Sequence, residues 1–264
     1  MIKFTIVTIT YNAADVFMRT ANSVALQTYT DVEHLIVDGA SSDGTRQLAE
    51  EYKKASDAAD NGHEVIVVSE PDKGLYDAMN KGRRMATGDY VCFLNAGDFF
   101  PSAETLAVIA SNARLEECRS EGQPLPAVLY GDTDWVDNDG NYMSKRRLTP
   151  PEKLTWRSFR HGMLVCHQAF YARTDIAKRV AYDLHYRFSA DVDWCIRVMN
   201  EADKMSLPLV NIHATIANYQ REGQSTKNHR ASLLERFGIM SRHYGLFTTI
   251  VMHVWFVIRA VIKN

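Results

Sequence analysis

The chain has 264 residues, enough for one large α/β domain with a sizeable core. Apolar residues make up 46% and charged residues 23%, and 30 Lys+Arg stand against 32 Asp+Glu for a net charge of −2. That balance argues against a general nucleic-acid binder. The 14 Gly and 7 Pro exclude collagen-like or low-complexity disorder, and the four cysteines form no C-x-x-C pair that would suggest a zinc ribbon or a disulfide framework.

Phe4 to Thr10 is β-branched and apolar, which predicts a strand covered on both faces. It is too short for the apolar region of a signal peptide, so a cytoplasmic protein is expected. Val16, Phe17, Ala21, Val24 and Ala25 recur at helical spacing within 15–27. Glu33–Asp38 is a second strand, and Ser42 to Thr45 caps a helix running through Lys54. Glu64–Ser69 is a third strand, Leu75–Thr87 a helix ended near Gly88, and Tyr90–Leu94 a fourth strand. This alternation predicts a mostly parallel central sheet flanked by helices.

The middle of the chain is less regular. Residues 112–126 read as a helix end and surface loop, Val128–Asp132 as a strand, and Asp137–Gly140 as a hairpin turn. Lys145, Arg146 and Arg147 read as a solvated loop, with contact to an anionic substrate or membrane as the alternative. Cys166–Arg173 reads as a strand, and a helix starts near Asp191. Leu246–Ile262 is almost wholly apolar but short for a membrane span. An interfacial helix is favoured over one packed on protein.

Ligands of open parallel sheets sit outside the carboxyl ends of the strands. Here four strands in succession end in polar groups: Thr10-Tyr11-Asn12, Asp38 to Thr45, Glu70 to Gly74, and Asn95 to Asp98. Asp38 suits ribose or base recognition, or an Asx-turn with Ser41 and Ser42. Asp98 suits a hard divalent cation, or an N-cap for the helix after Pro101. Neither G-x-x-x-x-G-K-[ST] nor G-x-G-x-x-G is present, which disfavours P-loop and dinucleotide enzymes.

Five ordered strings carry a resemblance: 6–12 (IVTITYN), 37–45 (VDGASSDGT), 72–82 (DKGLYDAMNKG), 86–90 (ATGDY) and 93–98 (FLNAGD). They resemble glycosyltransferase family 2, in particular its bacterial exopolysaccharide and colanic-acid-type members. The resemblance implies a GT-A fold, with a single catalytic domain over 1–226. Residues 1–100 would bind the nucleotide sugar and 101–226 the acceptor. Residues 227–264 would form a helical, apolar segment that associates with a membrane or a partner.

Residue by residue, it implies nucleotide or donor contacts at Ile9, Thr10, Tyr11, Asp38, Lys73, Gly74, Asp77, Asn80, Asn95 and Ala96. Asn80 and Gly82 match a segment near the nucleotide and donor sugar. Met79 stands where an arginine often lies, so Lys73 or Lys81 would face the phosphate. Asp98 matches the last carboxylate of a metal motif for Mn²⁺ or Mg²⁺, while Asn95 and Gly97 occupy positions that are usually acidic. His167 and Gln168 fall in a segment beside the sugar, and His167 as a satisfied core histidine stays open. Asp191 matches the general base, with Ala190 replacing an acidic neighbour, and Asp193 is structural or acceptor-binding. Gln220 to Thr226, with Arg221 or Lys227, would close over the diphosphate or be an ordinary surface loop.

The implied reaction is an inverting, metal-assisted transfer from a nucleotide-diphospho-sugar, UDP foremost, to a glycan or lipid-linked acceptor hydroxyl. A peripheral place on the inner face of the cytoplasmic membrane follows from the C-terminus. Two alternatives remain: a non-catalytic nucleotide-sugar-binding relative or partner subunit, and a sugar-phosphate nucleotidyltransferase.

Overall fold

The computed structural model describes residues 1–220 and 229–262. Strand β1 (Phe4–Thr10) lies between β2 (Val32–Asp38) and β4 (Tyr90–Phe93), with β3 (His63–Ser69) outside β2, and all these pairings are parallel. Helices α1 (Ala14–Ala25), α2 (Thr45–Ala59) and α3 (Leu75–Met85) make the crossovers. The expected α/β, GT-A-type architecture is present. The mostly parallel sheet holds for this first half.

Beyond β4 the sheet changes direction. Strand β7 (Phe170–Arg173) pairs antiparallel with β4 and with β5 (Val128–Val136). β5 also pairs antiparallel with β6 (Tyr142–Lys145) and parallel with β8 (Leu209–Gln220). The hairpin turn falls where the sequence places it: Asp137 N donates to Asn141 O at 3.0 Å, and Gly140 supplies a φ of 89°. Helices α4 (Thr105–Asn112) and α5 (Leu115–Ser120) fill the segment between β4 and β5.

Three segments differ from expectation. Cys166–Arg173 is not one strand, because His167–Ala169 forms a 3₁₀ turn before β7 begins. Arg146 is not a solvated charge. Its guanidinium donates to the carbonyls of Leu148, Met163 and Leu164. Asp98 caps no helix, since α4 begins only at Thr105.

All seven β1 residues are buried. Val7 and Ile9 face one hydrophobic cluster, Phe4 and Ile6 the other. Burying each such side chain stabilises by about 1.5–3 kcal/mol. The threonines between them need partners inside the core. Thr5 donates to buried Glu33 at 2.7 Å, and Glu33 also accepts from Thr87 N at 2.8 Å. Thr8 Oγ1 donates to Leu94 O at 2.9 Å, so it accepts from His34 Nε2–H. Nδ1 of that ring then accepts from Tyr52 OH at 3.0 Å.

Helix α6 (Thr174–Arg179) leads to α7 (Ala190–Lys204), and α8 (His229–Tyr244) with α9 (Leu246–Ile262) forms a helical hairpin at the C-terminus. Asp193 on α7 anchors α8: its carboxylate accepts from Arg197 Nε at 2.7 Å and lies 2.7 Å from His243 Nε2. Those two partners outweigh burial and hold its pKa down.

His34 yields a test of this core. Burial, with repulsion from His63, pushes its pKa down to about 3 from an ordinary 6.5. The unfolded chain takes up this proton below pH 6.5 and the folded chain does not. Stability should therefore fall by up to about 1.4 kcal/mol per pH unit on this account as pH drops from 6.5 toward 3. Denaturant midpoints should fall more steeply for wild type than for His34→Gln over pH 6 to 4; parallel curves would reject this.

Candidate active site

Two clusters of polar side chains stand at the carboxyl edge of the parallel strands. The first forms the loop after β2. Asp38 is fully buried, and its carboxylate accepts from Ser41 N at 3.0 Å, from Ser41 Oγ, and from Ser69 Oγ at 2.6 Å. The Asx-turn with Ser41 is thus present. Ser42 N instead donates to Asn12 Oδ1 at 2.9 Å. Asp38 shapes this loop from inside, and its oxygens already have donors.

Gly39 allows the loop to close. A Cβ there would lie 2.6 Å from Asp72 Oδ2 and 3.2 Å from the Tyr11 ring. Tyr11 itself is 65% exposed. Ile9 O accepts from Ala96 N at 3.1 Å and Thr10 O from Gly39 N at 2.9 Å. These carbonyls hold the two clusters to β1.

The turn into α3 is closed by its own residues. Gly74 N donates to Asp72 Oδ1 at 2.8 Å, and Lys73 N to Asp77 Oδ2 at 3.0 Å. The Lys73 side chain is exposed, whereas Lys81 is held by Glu70 at 2.9 Å and by the carbonyl of Pro71. Met79 is fully buried in the core, so its position offers no phosphate contact. Gly82 permits helix contact with the sheet: a Cβ there would lie 2.3 Å from Val7 Cγ1.

Asn80 has a different task from the one its motif suggests. Its amide donates to Tyr182 O at 2.9 Å and accepts from Tyr182 N at 2.8 Å. It is a buried clamp on the chain between α6 and α7. Asp193 likewise is buried in its pairing with Arg197 and His243.

The second cluster joins β4, the 3₁₀ turn, α3 and α7. Asp191 Oδ2 lies 3.3 Å from His167 Nδ1, and Tyr76 OH donates to Asp191 Oδ1 at 3.2 Å. Asn95 Nδ2 lies 3.3 Å from His167 Nε2; with that amide as donor, the imidazole proton falls on Nδ1, facing Asp191. Burial favours the neutral acid at Asp191, but the hydrogen bond from His167 outweighs it, with the charge of Arg236 adding, and its pKa lies below the usual carboxylate range.

Asp98 is also buried, and Gln168 Nε2 donates to its Oδ2 at 2.9 Å. Here burial dominates and pushes the pKa up to about 6. Gln168 is fixed in turn by Cys166 Sγ, 2.6 Å from its Oε1. Thr20 donates to Asp98 O at 2.6 Å and accepts from Gly97 N at 2.9 Å, which holds the loop's shape. Asn95 Oδ1 is buried with no hydrogen-bond partner. Among the described residues no three His, Cys, Asp or Glu side chains form a metal-binding group.

The structure thus brings Asn95, Asp98, His167, Gln168 and Asp191 together, while Asp38, Asn80 and Asp193 are hydrogen-bonded to other parts of the protein. Tyr76 and Thr20 are site residues that sequence reasoning missed. Tyr76 lies inside a quoted motif, but nothing in its spacing marks it as a partner of Asp191, 115 residues away. Arg221, Lys227 and the 221–226 part of the closing loop lie outside the described residues.

The Glycosyl transferase family 2 model matches residues 5–180. The chain belongs to glycosyltransferase family 2. It is 32% identical over 221 residues to the PGL/p-HBAD biosynthesis glycosyltransferase of Mycobacterium bovis, covering 83% of this chain and 77% of that one. It is 30% identical over 241 residues to the amylovoran biosynthesis glycosyltransferase AmsB of Erwinia amylovora, covering 86% and 75%.

Among solved structures, S. aureus TarS 1-349 in complex with UDP-GlcNAc superposes with a TM-score of 0.66 at 18% identity, covering 90% of this chain and 64% of that one. The mannosyltransferase PcManGT of Pyrobaculum calidifontis, in complex with GDP-Man and Mn²⁺, superposes with a TM-score of 0.58 at 16% identity, covering 96% and 70%. These likenesses show the shared fold. The family 2 enzyme of this chain is therefore a glycosyltransferase, related to enzymes of polysaccharide and glycolipid biosynthesis.

The clamp at Asn80 has a measurable consequence. Asn80→Ala removes both bonds to Tyr182 and leaves its buried N–H and C=O unpaired. A loss of about 2–4 kcal/mol in unfolding free energy is expected. An unchanged denaturant midpoint would reject the clamp.

Proposed function

We propose that the chain transfers a sugar with inversion from a nucleoside-diphosphate sugar to a hydroxyl of a lipid-linked polysaccharide precursor, with Asp191 as general base. The observation that carries this is the carboxylate of Asp191, kept ionised by His167 at the carboxyl edge of the sheet. A sugar hydroxyl is a poor nucleophile until its proton is taken in the transition state. Asp191 takes that proton while the hydroxyl oxygen attacks the anomeric carbon. The bond to the diphosphate breaks on the opposite face, so no covalent enzyme intermediate forms. A uridine nucleotide is the first donor to test, because TarS is seen with UDP and with UDP-GlcNAc.

The chemistry of the loop after β4 fits a divalent cation. Asn95 Oδ1 is a buried acceptor without a donor, and Asp98 supplies a carboxylate beside it in sequence. Mg²⁺ and Mn²⁺ accept such thin protein ligation when phosphates complete their shell. Such a cation would supply positive charge to the departing diphosphate. Lys73, exposed at the turn into α3, is the basic group free to approach it.

The acceptor side and the membrane are linked through the C-terminal hairpin. Phe247, Ile250, Val254, Trp255, Val257 and Ile258 of α9 are all exposed, Phe247 at 81%. The opposite face packs on α8, where the His253 ring lies 5.0 Å from Phe237. No charge interrupts the exposed face, and after Glu235 the chain holds Arg236, Arg242, Arg259 and Lys263 but no Asp or Glu. An exposed apolar face on a segment whose charged residues are all cations matches an anionic bilayer, with α9 lying in its interface. Among the described residues no helix is long and apolar enough to cross a membrane.

Two experiments test these readings. Asp191→Asn should lower turnover by about 10²–10⁴-fold while nucleotide affinity, read by calorimetry with Mn²⁺, stays within about twofold. Turnover at the wild-type level would exclude Asp191 as base. Full-length protein should sediment with phosphatidylglycerol-containing vesicles and less with pure phosphatidylcholine, and Phe247→Glu with Val254→Glu should abolish this. Failure to sediment, with light scattering showing a dimer that the same pair dissociates, would assign the face to a second copy of the chain.

A further inference from the structure

The motif at the start of α3 is rich in groups that the site described above leaves without a direct ligand. Asn80 is spent on the backbone of Tyr182, and Met79 is core. By fixing Tyr182 at both its N–H and its carbonyl, Asn80 sets the position of the Tyr182 ring. That ring stacks on Trp194 of α7 at 4.8 Å and 14°. Its other stacking partner is Tyr76, at 5.7 Å and 18°. The three rings form one column from α3 to α7, and the Tyr76 hydroxyl at its end donates to Asp191 Oδ1 at 3.2 Å.

We propose that Tyr76 is a positioning residue for the general base, held by the Asn80–Tyr182 clamp, and that this part of the α3 motif serves proton removal from the acceptor rather than nucleotide binding. The inference rests on Asp191 being the base. Aspartate at the first turn of a helix has rotamer freedom. Two donors on different oxygens, His167 Nδ1 and Tyr76 OH, fix its plane. Each also stabilises the ionised form over the acid. The groups facing Asp191 from the packed elements are Tyr76 of α3, His167 and the Cys166 thiol of the 3₁₀ turn segment, Tyr182 between α6 and α7, and Arg236 of α8, with Cys195 on its own helix. Glu235 of α8 acts on Tyr76, and the hydroxyl's own pKa is raised well above 10 by burial and by Asp191, so Tyr76 remains a donor throughout the working pH range.

The test is Tyr76→Phe, which keeps the ring in the column and removes only the donor. With that donor gone, the pKa of Asp191 rises. The base is active only when ionised, so the acid limb of the kcat/KM profile moves to higher pH. At pH 7.5 kcat should fall about tenfold, the size of one lost hydrogen bond to a charged group, while the donor KM stays within twofold. In an Asp191→Asn background the same substitution should add no further loss, because its effect runs through that carboxylate.

A raised donor KM with an unmoved acid limb would overturn the inference and return Tyr76 to the nucleotide side. So would a wild-type kcat and pH profile while Asp191→Asn is inactive. If Asp191→Asn itself turns over normally, the base assignment falls, and the inference falls with it for that separate reason. Thermal midpoints measured in parallel confirm that each variant is folded.

Discussion

The carbonyls of Ile9 and Thr10 are the last acceptors of a strand that exposes none of its side chains. Ile9 receives Ala96 N from the loop after β4, and Thr10 receives Gly39 N from the loop after β2. Both polar clusters at the sheet edge are thereby fastened to β1. A strand buried on both faces moves little, since any shift disturbs close packing in two clusters at once. The threonines of β1 extend that rigidity into polar chemistry. Thr8 links His34 and Tyr52 to the Leu94 carbonyl, one residue before Asn95.

Two buried carboxylates on this frame are driven in opposite directions. Asp98 has a neutral amide donor, and burial prevails, so its pKa rises to about 6. Asp191 has the hydrogen bond of His167 and the nearby charge of Arg236, and these prevail over burial. Separated pKa values within one site are the usual basis for a division of roles. The group kept ionised has the chemistry of a base. The group left short of charge compensation suits a cation.

The same economy of partners explains the support roles. Asp38, Asn80 and Asp193 all have the polarity of ligand-binding residues, yet each already has hydrogen-bond partners within the protein. They fix, in turn, the nucleotide-side loop, the aromatic column behind Tyr76, and the helical hairpin that carries the apolar face of α9. The sheet edge, Asp191 and the C-terminal hairpin are thus joined by short polar links through the core.

The alternation of strands and helices through β4 was legible in one dimension, because period and turn residues are local signals. So were the burial of β1 on both faces, the turn at Asp137–Gly140 and the helix-length apolar segment Leu246–Ile262. Family motifs pointed to Asn95, Asp98, His167, Gln168 and Asp191, which do assemble. Only the tertiary structure decided which polar residues keep free valence. Arg146, Asn80 and Asp38 look like surface or ligand groups in one dimension, but their partners come from carbonyls and hydroxyls that only folding brings near. The 3₁₀ turn at His167 and the bond from Tyr76 to Asp191 were hidden for the same reason: each depends on contacts across the fold, to which local periodicity is blind.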